Sequence, residues 1–403
     1  MSSDKVVQEI GHIKEKLVVK KLLNDMQDEK YLFNTECRMF KDIFPFLLST
    51  SSCNENHVNS STTHLFKARS LFQKCHFASR KSKRAILVLE DIHEQGYRVC
   101  QNQSMTLDYN HLKLVLEGLA RFHALSYAGK MKKPLEFYLK MANKIVKKKP
   151  VTTKQKDAEL LYAHAYFQAL QFSAIQPVEE FAKRYLEPKY FSGVQNLNFL
   201  LENVVELITS SLRPSEPLSV LCHGNLVFNK IYFKYDSDNI PISVKFIDFQ
   251  NVHYASPAVD LSVFLFLNTS SELREKHWND LFTTYHTILI DSVAEFVGCL
   301  KENQSSEFSL NAFKEEFSKH ALYGYVFTSG YVISSSLKCN DVLEFFREGT
   351  PSRENVDRYI EENFKVQNEP VINRLMAIVR ELLEYNLLPP LRKDCVDELT
   401  VEK

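Results

Sequence analysis

A β-rich island at residues 218–250, set between long helical patterns, constrains this 403-residue chain more than any other feature. Leu218–Cys222 reads as a strand and His223-Gly224-Asn225-Leu226-Val227-Phe228-Asn229-Lys230 as a polar loop. Ile231–Tyr235 and Ile242–Ile247 read as the arms of a hairpin joined by the turn Asp236-Ser237-Asp238-Asn239, with Asp248-Phe249-Gln250 leaving it. A hairpin brings the chain back to where it started, so the loop 223–230 and Asp248 become neighbours. A polar loop and a carboxylate on adjacent strand ends can share one ligand, as metal-assisted phosphoryl transfer requires. Taken singly, a histidine such as His223 more often bonds backbone, and Asp248 alone reads as a turn residue.

Around this island the pattern is mixed. Lys16–Lys20 and Ala85–Leu89 read as strands, the second ending in Glu90-Asp91. Between them, Tyr31, Phe33, Cys37, Phe40 and Phe44 recur at helical spacing over Lys30–Leu48, with Pro45 expected to kink or end the helix. The Ser/Thr/Asn-rich run 49–64 reads as a loop. From about 106, Leu112, Val115, Leu116, Leu119, Phe122 and Leu125 form one apolar helical stripe. Further helices are expected at about 157–172, 177–187 and 195–212, then from a capping box at Thr269–Glu272 towards 287, and from Pro370 to about 386. The ten lysines against one acid between 130 and 156 read as a solvated loop and helix face.

Fifty Lys+Arg balance fifty Asp+Glu, which argues against a general polyanion binder. The eight cysteines include no C-x-x-C pair, so neither a zinc site nor a disulfide framework is suggested. The start, MSSDKVVQEI, has no apolar signal-peptide core, and no apolar run is long enough to span a membrane. These features read as a soluble, cytoplasmic protein.

Taken with LVLED at 87–91, LARFHALS at 119–126 and VKFIDFQNVHYASPAVDLSVFLF at 244–266, the loop CHGNLVFNKIYFKY resembles the ecdysteroid-kinase-like (CHK kinase-like) family, common in insects and similar to aminoglycoside and choline kinases. The resemblance implies an α+β, two-lobed protein-kinase-like fold. Residues 1–92 would form a reduced N-terminal β/α lobe with a hinge at about 88–96, and residues 97–403 a large, mainly helical lobe carrying the hairpin. It also implies ATP- and Mg²⁺-dependent phosphorylation of a hydroxyl on an ecdysteroid or other small molecule. Lys20 and Glu36 would be the paired phosphate-holding residues, Val88, Leu89 and Glu90 the hinge backbone beside adenine, Asp248 the metal-binding aspartate, and Asp260 a buried support of the catalytic loop.

The same resemblance exposes departures. Where the family loop reads H-G-D-L-W-x-N-N, this chain has Asn225 for the catalytic Asp and Lys230 for the metal-binding Asn, with Asn229 one position early. An amide cannot take a proton near neutral pH, which removes general-base help of roughly 10²–10⁴-fold, and an ammonium cannot ligate a hard cation. Only nineteen residues precede Lys20, too few for the family's lid over the phosphates. The expectation is an impaired kinase that acts by binding, with doubtful Mg²⁺ dependence; the alternative is an active small-molecule kinase using a relocated base. Tyr323, Tyr325, Phe327 and Tyr331 are either lining for an apolar ligand pocket or plain core.

Overall fold

A computed structural model describes residues 2–10, 13–22, 27–52, 63–81, 85–101, 106–144, 153–185, 187–298, 306–336, 352–365 and 368–389. The chain forms two compact units, one of residues 1–147, 214–260 and 272–313, the other of 148–213, 261–271 and 314–403. The class is α+β, as expected.

The first unit carries the sheets. β1 (Ser2–Ile10) pairs antiparallel with β2 (Ile13–Lys21), which pairs with β4 (Ile86–Glu90), with β3 (Cys75–Ser79) on β4's far side. The sequence reading places no strand before Lys16; residues 2–10 nevertheless form one, registered Ser3 against Lys20. Lys20 lies opposite Leu87 and Val18 opposite Leu89, so these four side chains share one face of the sheet, while Val88 and Glu90 turn to the other.

The Lys20 face meets α1 (Gln27–Arg38), whose Phe33, Glu36 and Cys37, together with Phe40 beyond it, form a buried i, i+3, i+4, i+7 stripe. Pro45 does not end this helix. The chain widens into one π turn at Met39–Ile43, then resumes as α2 (Phe44–Ser51) with Pro45 in its first turn, where no amide donor is needed. The run expected to be a loop is therefore helical to Ser51 and again in α3 (His64–Ser70); residues 53–62 lie outside the described residues.

α4 (Tyr109–Lys132), the expected apolar stripe, packs against α2 and α3 and is followed by α5 (Pro134–Lys144). β5 (Arg98–Val99) pairs with the hairpin β7 (Ile231–Tyr235)/β8 (Pro241–Phe246). Asp236 closes that hairpin by accepting the amides of Asp238 (3.0 Å) and Ile240 (2.9 Å). β6 (Val220–Cys222) pairs instead with β9 (His253–Ala255), a strand not expected from the sequence. Phe40, Phe44, Phe72, Phe122 and Phe249 form an aromatic cluster in the interior of this unit, with Phe44 and Phe72 stacked at 4.0 Å.

The second unit is helical. α6 (Thr153–Tyr185) is a single helix, although the sequence reading breaks it near Pro177. The proline is buried inside the helix, and Gln176 donates to the carbonyl of Phe172 (3.1 Å) in the turn the ring disturbs. α7 (Phe191–Glu202), α8 (Val204–Ser211), α9 (Pro257–Asn268, its end), α11 (Leu310–Ser336, from 314), α12 (Arg353–Asn363) and α13 (Glu369–Glu384) complete it, while α10 (Ser271–Val297) belongs almost wholly to the first unit. Tyr323 and Tyr325 are core residues, the Tyr325 hydroxyl donating to the Ala174 carbonyl (2.7 Å); Tyr331 is exposed. Among the described residues no helix is long and apolar enough to cross a membrane.

Candidate active site

Every residue of the candidate site belongs to the first unit. Asp260, at the start of α9, is buried and accepts the amides of His223 (2.6 Å) and Gly224 (2.9 Å). His123 of α4 lies 3.2 Å from the same carboxylate and 2.7 Å from the Tyr285 hydroxyl. Burial would raise the Asp260 carboxyl, but His123, His223 and His253 around it hold it below its ordinary value. Gly224 sits at φ +75°, and a Cβ there would stand 2.1 Å from the Asn251 carbonyl oxygen, so only glycine fits. His123, Cys222 and Asp260 approach one another within metal-ligand range. Their donor and acceptor atoms are bonded within the protein, which makes the group a structural anchor.

The loop that Asp260 pins leads directly to Asp248. His223 Nε2 lies 3.1 Å from the Ile247 carbonyl, and the Ile247 amide donates to the Lys230 carbonyl (3.1 Å). Asp248 takes the left-handed conformation, φ 72°, unusual outside glycine. Phe249 next to it is fully buried in the aromatic cluster, 4.7 Å from the His223 ring, and this anchorage fixes the strained residue.

Around Asp248 the charges are already paired. Lys20 donates to both Glu36 oxygens (2.8 and 2.9 Å) and stands 3.5 Å from Asp248 Oδ1. The Lys230 ammonium donates to Asp248 Oδ2, and the Gln250 amide to Oδ1. Burial would raise Asp248, yet Lys20 and Lys230 hold it below the usual carboxylate value. Burial lowers Lys20, but Glu36 and Asp248 outweigh it and raise the ammonium. Glu36, wholly buried, is pushed up by burial against the pull of Lys20.

Lys20, Glu36, Lys230 and Asp248 are therefore brought together, and His223, Asn225 and Asp260 frame the adjoining loop. Asn225 is half-buried, its backbone N–H donating to His223 Nδ1 at 3.3 Å. Asn229 is exposed and makes no hydrogen bond to Asp248 among the described residues. The Mg²⁺ that the resemblance implies does not fit this donor set: the carboxylate's two oxygens face two ammonium groups and an amide, and the expected second ligand points an ammonium at it.

The residues expected to open the hinge lie at the end of β4. β4 lies between β2 and β3, so the backbone of Val88 and Leu89 is committed to the two ladders. The Glu90 amide donates to Lys74 O (3.0 Å) and its carbonyl accepts from Gln73 Nε2 (3.0 Å). Its side chain accepts from buried Lys245 (3.1 Å), which also donates to Phe72 O (2.9 Å). The sequence reading assigns no role to Gln250, His123 or Lys245, although all three stand in the segments that carry the resemblance; a histidine inside the apolar stripe of α4 is the signal that could have found His123.

A family model described as the ecdysteroid kinase-like family matches residues 5–297. Among solved structures, the GDP complex of aminoglycoside 2'-phosphotransferase-IIIa is similar at 12% identity, covering 96% of this chain and 94% of that one, with a TM-score of 0.36. Spectinomycin phosphotransferase with ADP and spectinomycin follows at 12% identity, 94% and 90% coverage and a TM-score of 0.34. A choline/ethanolamine kinase family protein from Mesorhizobium loti matches at 9% identity, 93% and 92% coverage and a TM-score of 0.34. No curated protein matches the chain.

Proposed function

Because the chain belongs to the ecdysteroid kinase-like family, we propose that it binds a nucleotide and a small hydroxylated molecule, a steroid among the candidates, while phosphoryl transfer between them is impaired. One observation carries this reading: the carboxylate at the site, Asp248, is held ionised by Lys20, Lys230 and Gln250. An acid so bound is a poor proton acceptor, so it cannot replace the base that Asn225 does not supply. The adenine would meet backbone beyond Glu90, and Lys20 with Glu36 would orient the phosphates. What remains is positioning without the roughly 10²–10⁴-fold help of a general base and without a metal to neutralise the charge on the transferring group, which phosphoryl transfer needs beside positioning.

The test is phosphate transfer from ATP to a panel of ecdysteroids and simpler alcohols, with the unmodified chain beside Asn225→Asp/Lys230→Asn. Turnover at background for the unmodified chain and measurable turnover for the double variant is the expected result. Robust turnover by the unmodified chain would establish an active kinase with a relocated base.

A further inference from the structure

The misfit between this site and a divalent cation has a consequence for what the site binds. Lys20 and Lys230 converge on one carboxylate, with Glu36 as the second acid, so the four charges cancel before any ligand arrives. A divalent cation entering beside Asp248 would meet an ammonium on each side and would have to expel Lys230. A polyphosphate has the opposite relation to these groups. The Lys230 side chain is 24% exposed, so its head can exchange Asp248 for a phosphate oxygen without disturbing the core, while Lys20 and Gln250 remain on Asp248.

We infer that the site takes its polyphosphate free of metal, with the Lys230 ammonium as a built-in cation in the metal's stead. This rests on the nucleotide-binding reading above and specifies the ionic form of the ligand. Lysine suits the part, being a compact charge on a flexible stem that can move between two oxygen partners. A bound phosphate then loosens the Lys230–Asp248 contact, so ligand binding and the loop 223–230 are coupled through one side chain.

The experiment is calorimetric titration of ATP and inorganic tripolyphosphate into the full chain, once with EDTA and once with excess Mg²⁺, with melting curves to confirm folding. The expected result is ATP binding in EDTA that Mg²⁺ leaves unchanged or weakens. Lys230→Met should weaken metal-free binding by roughly ten- to a hundredfold, the loss of one charge-assisted contact, and Lys230→Arg should largely preserve it. Lys230→Asn should make binding depend on Mg²⁺. If the unmodified chain binds ATP at least about tenfold more tightly with Mg²⁺, the inference falls and the nucleotide reading stands. If the folded chain binds ATP in neither buffer, both fall.

Discussion

Asp260 and Asp248 stand at the two ends of one loop and have kept different things. Asp260 is buried, and its oxygens accept two backbone amides beside a histidine held by Tyr285. Asp248 is also buried, but its partners are the heads of side chains, of which Lys20 and Lys230 are partly exposed. The first arrangement is bonded to the chain itself, so altering it disturbs the fold. The second is bonded to side chains that can be exchanged, so its chemistry can be rewritten while the hairpin, the Phe249 anchor and the left-handed turn survive. Scaffold and chemistry are separable here because they rest on different donors, backbone in one case and side chains in the other.

The largest expected effect breaks the scaffold end. Asp260→Ala leaves two buried amides and His123 without their acceptor, and should cost about 3–5 kcal/mol, a large share of the stability of an ordinary domain. Melting should drop steeply or the protein should fail to accumulate; a variant that melts like the unmodified chain would show that the loop is held elsewhere. The chemical end should behave in the opposite way. Asn225→Asp/Lys230→Asn changes half-buried loop residues and should leave the melting temperature nearly unmoved, while raising phosphate transfer above background by roughly 10²-fold or more, the usual range of general-base help. Between the two, Lys245→Met removes a buried ammonium from Phe72 O and Glu90 and should destabilise by about 1–3 kcal/mol. Chemical denaturation would measure it.

The scaffold was largely legible in the sequence. Alternating β-branched and aromatic residues around Asp236–Asn239 mark the hairpin, and the leucine spacing from 112 to 125 marks α4. Glu36 was legible only through the family resemblance, because a carboxylate in a buried stripe contradicts the apolar pattern and is stable there only through Lys20, a strand away. β1 escaped because SSDKVVQEI has little alternation of its own and becomes a strand by pairing with β2. α6 escaped because a proline argues for a break that tertiary packing overrides. The Lys230–Asp248 pairing could be foreseen only as a substitution of residue type; that the ammonium closes on the carboxylate, and that Gln250 joins it, is a matter of three-dimensional approach.

The smallest expected effect, a pH slope, distinguishes the two ends most finely. Burial lowers His64, His223 and His253 below the ordinary histidine value of 6.5. A group with a lower affinity for protons folded than unfolded makes the unfolded chain the better proton binder, so stability is full above the unfolded value and is lost as pH falls below about 6.5. Asp248, Asp260 and Glu90, also lowered, continue the loss at more acid pH. Glu36, raised by burial, acts in the opposite sense above its ordinary value of 4.5, so the histidine window is read by a histidine substitution rather than by the slope alone. Within it His253 is the informative residue: its Nδ1 lies 3.1 Å from the Asn251 carbonyl, Asp260 is the nearby charge that favours its protonation, and its buried Nε2 has no partner among the described residues. Protonation there places a charge beside the Gly224 turn at the scaffold end, away from the lysines of Asp248. Melting temperature should therefore fall between pH 7.5 and 5.5, and His253→Gln, which cannot charge, should flatten that fall while leaving metal-free ATP binding unchanged. An unaltered slope in His253→Gln would assign the pH dependence to His64 and His223, and a change in ATP binding would show that the two ends of the loop are not separable after all.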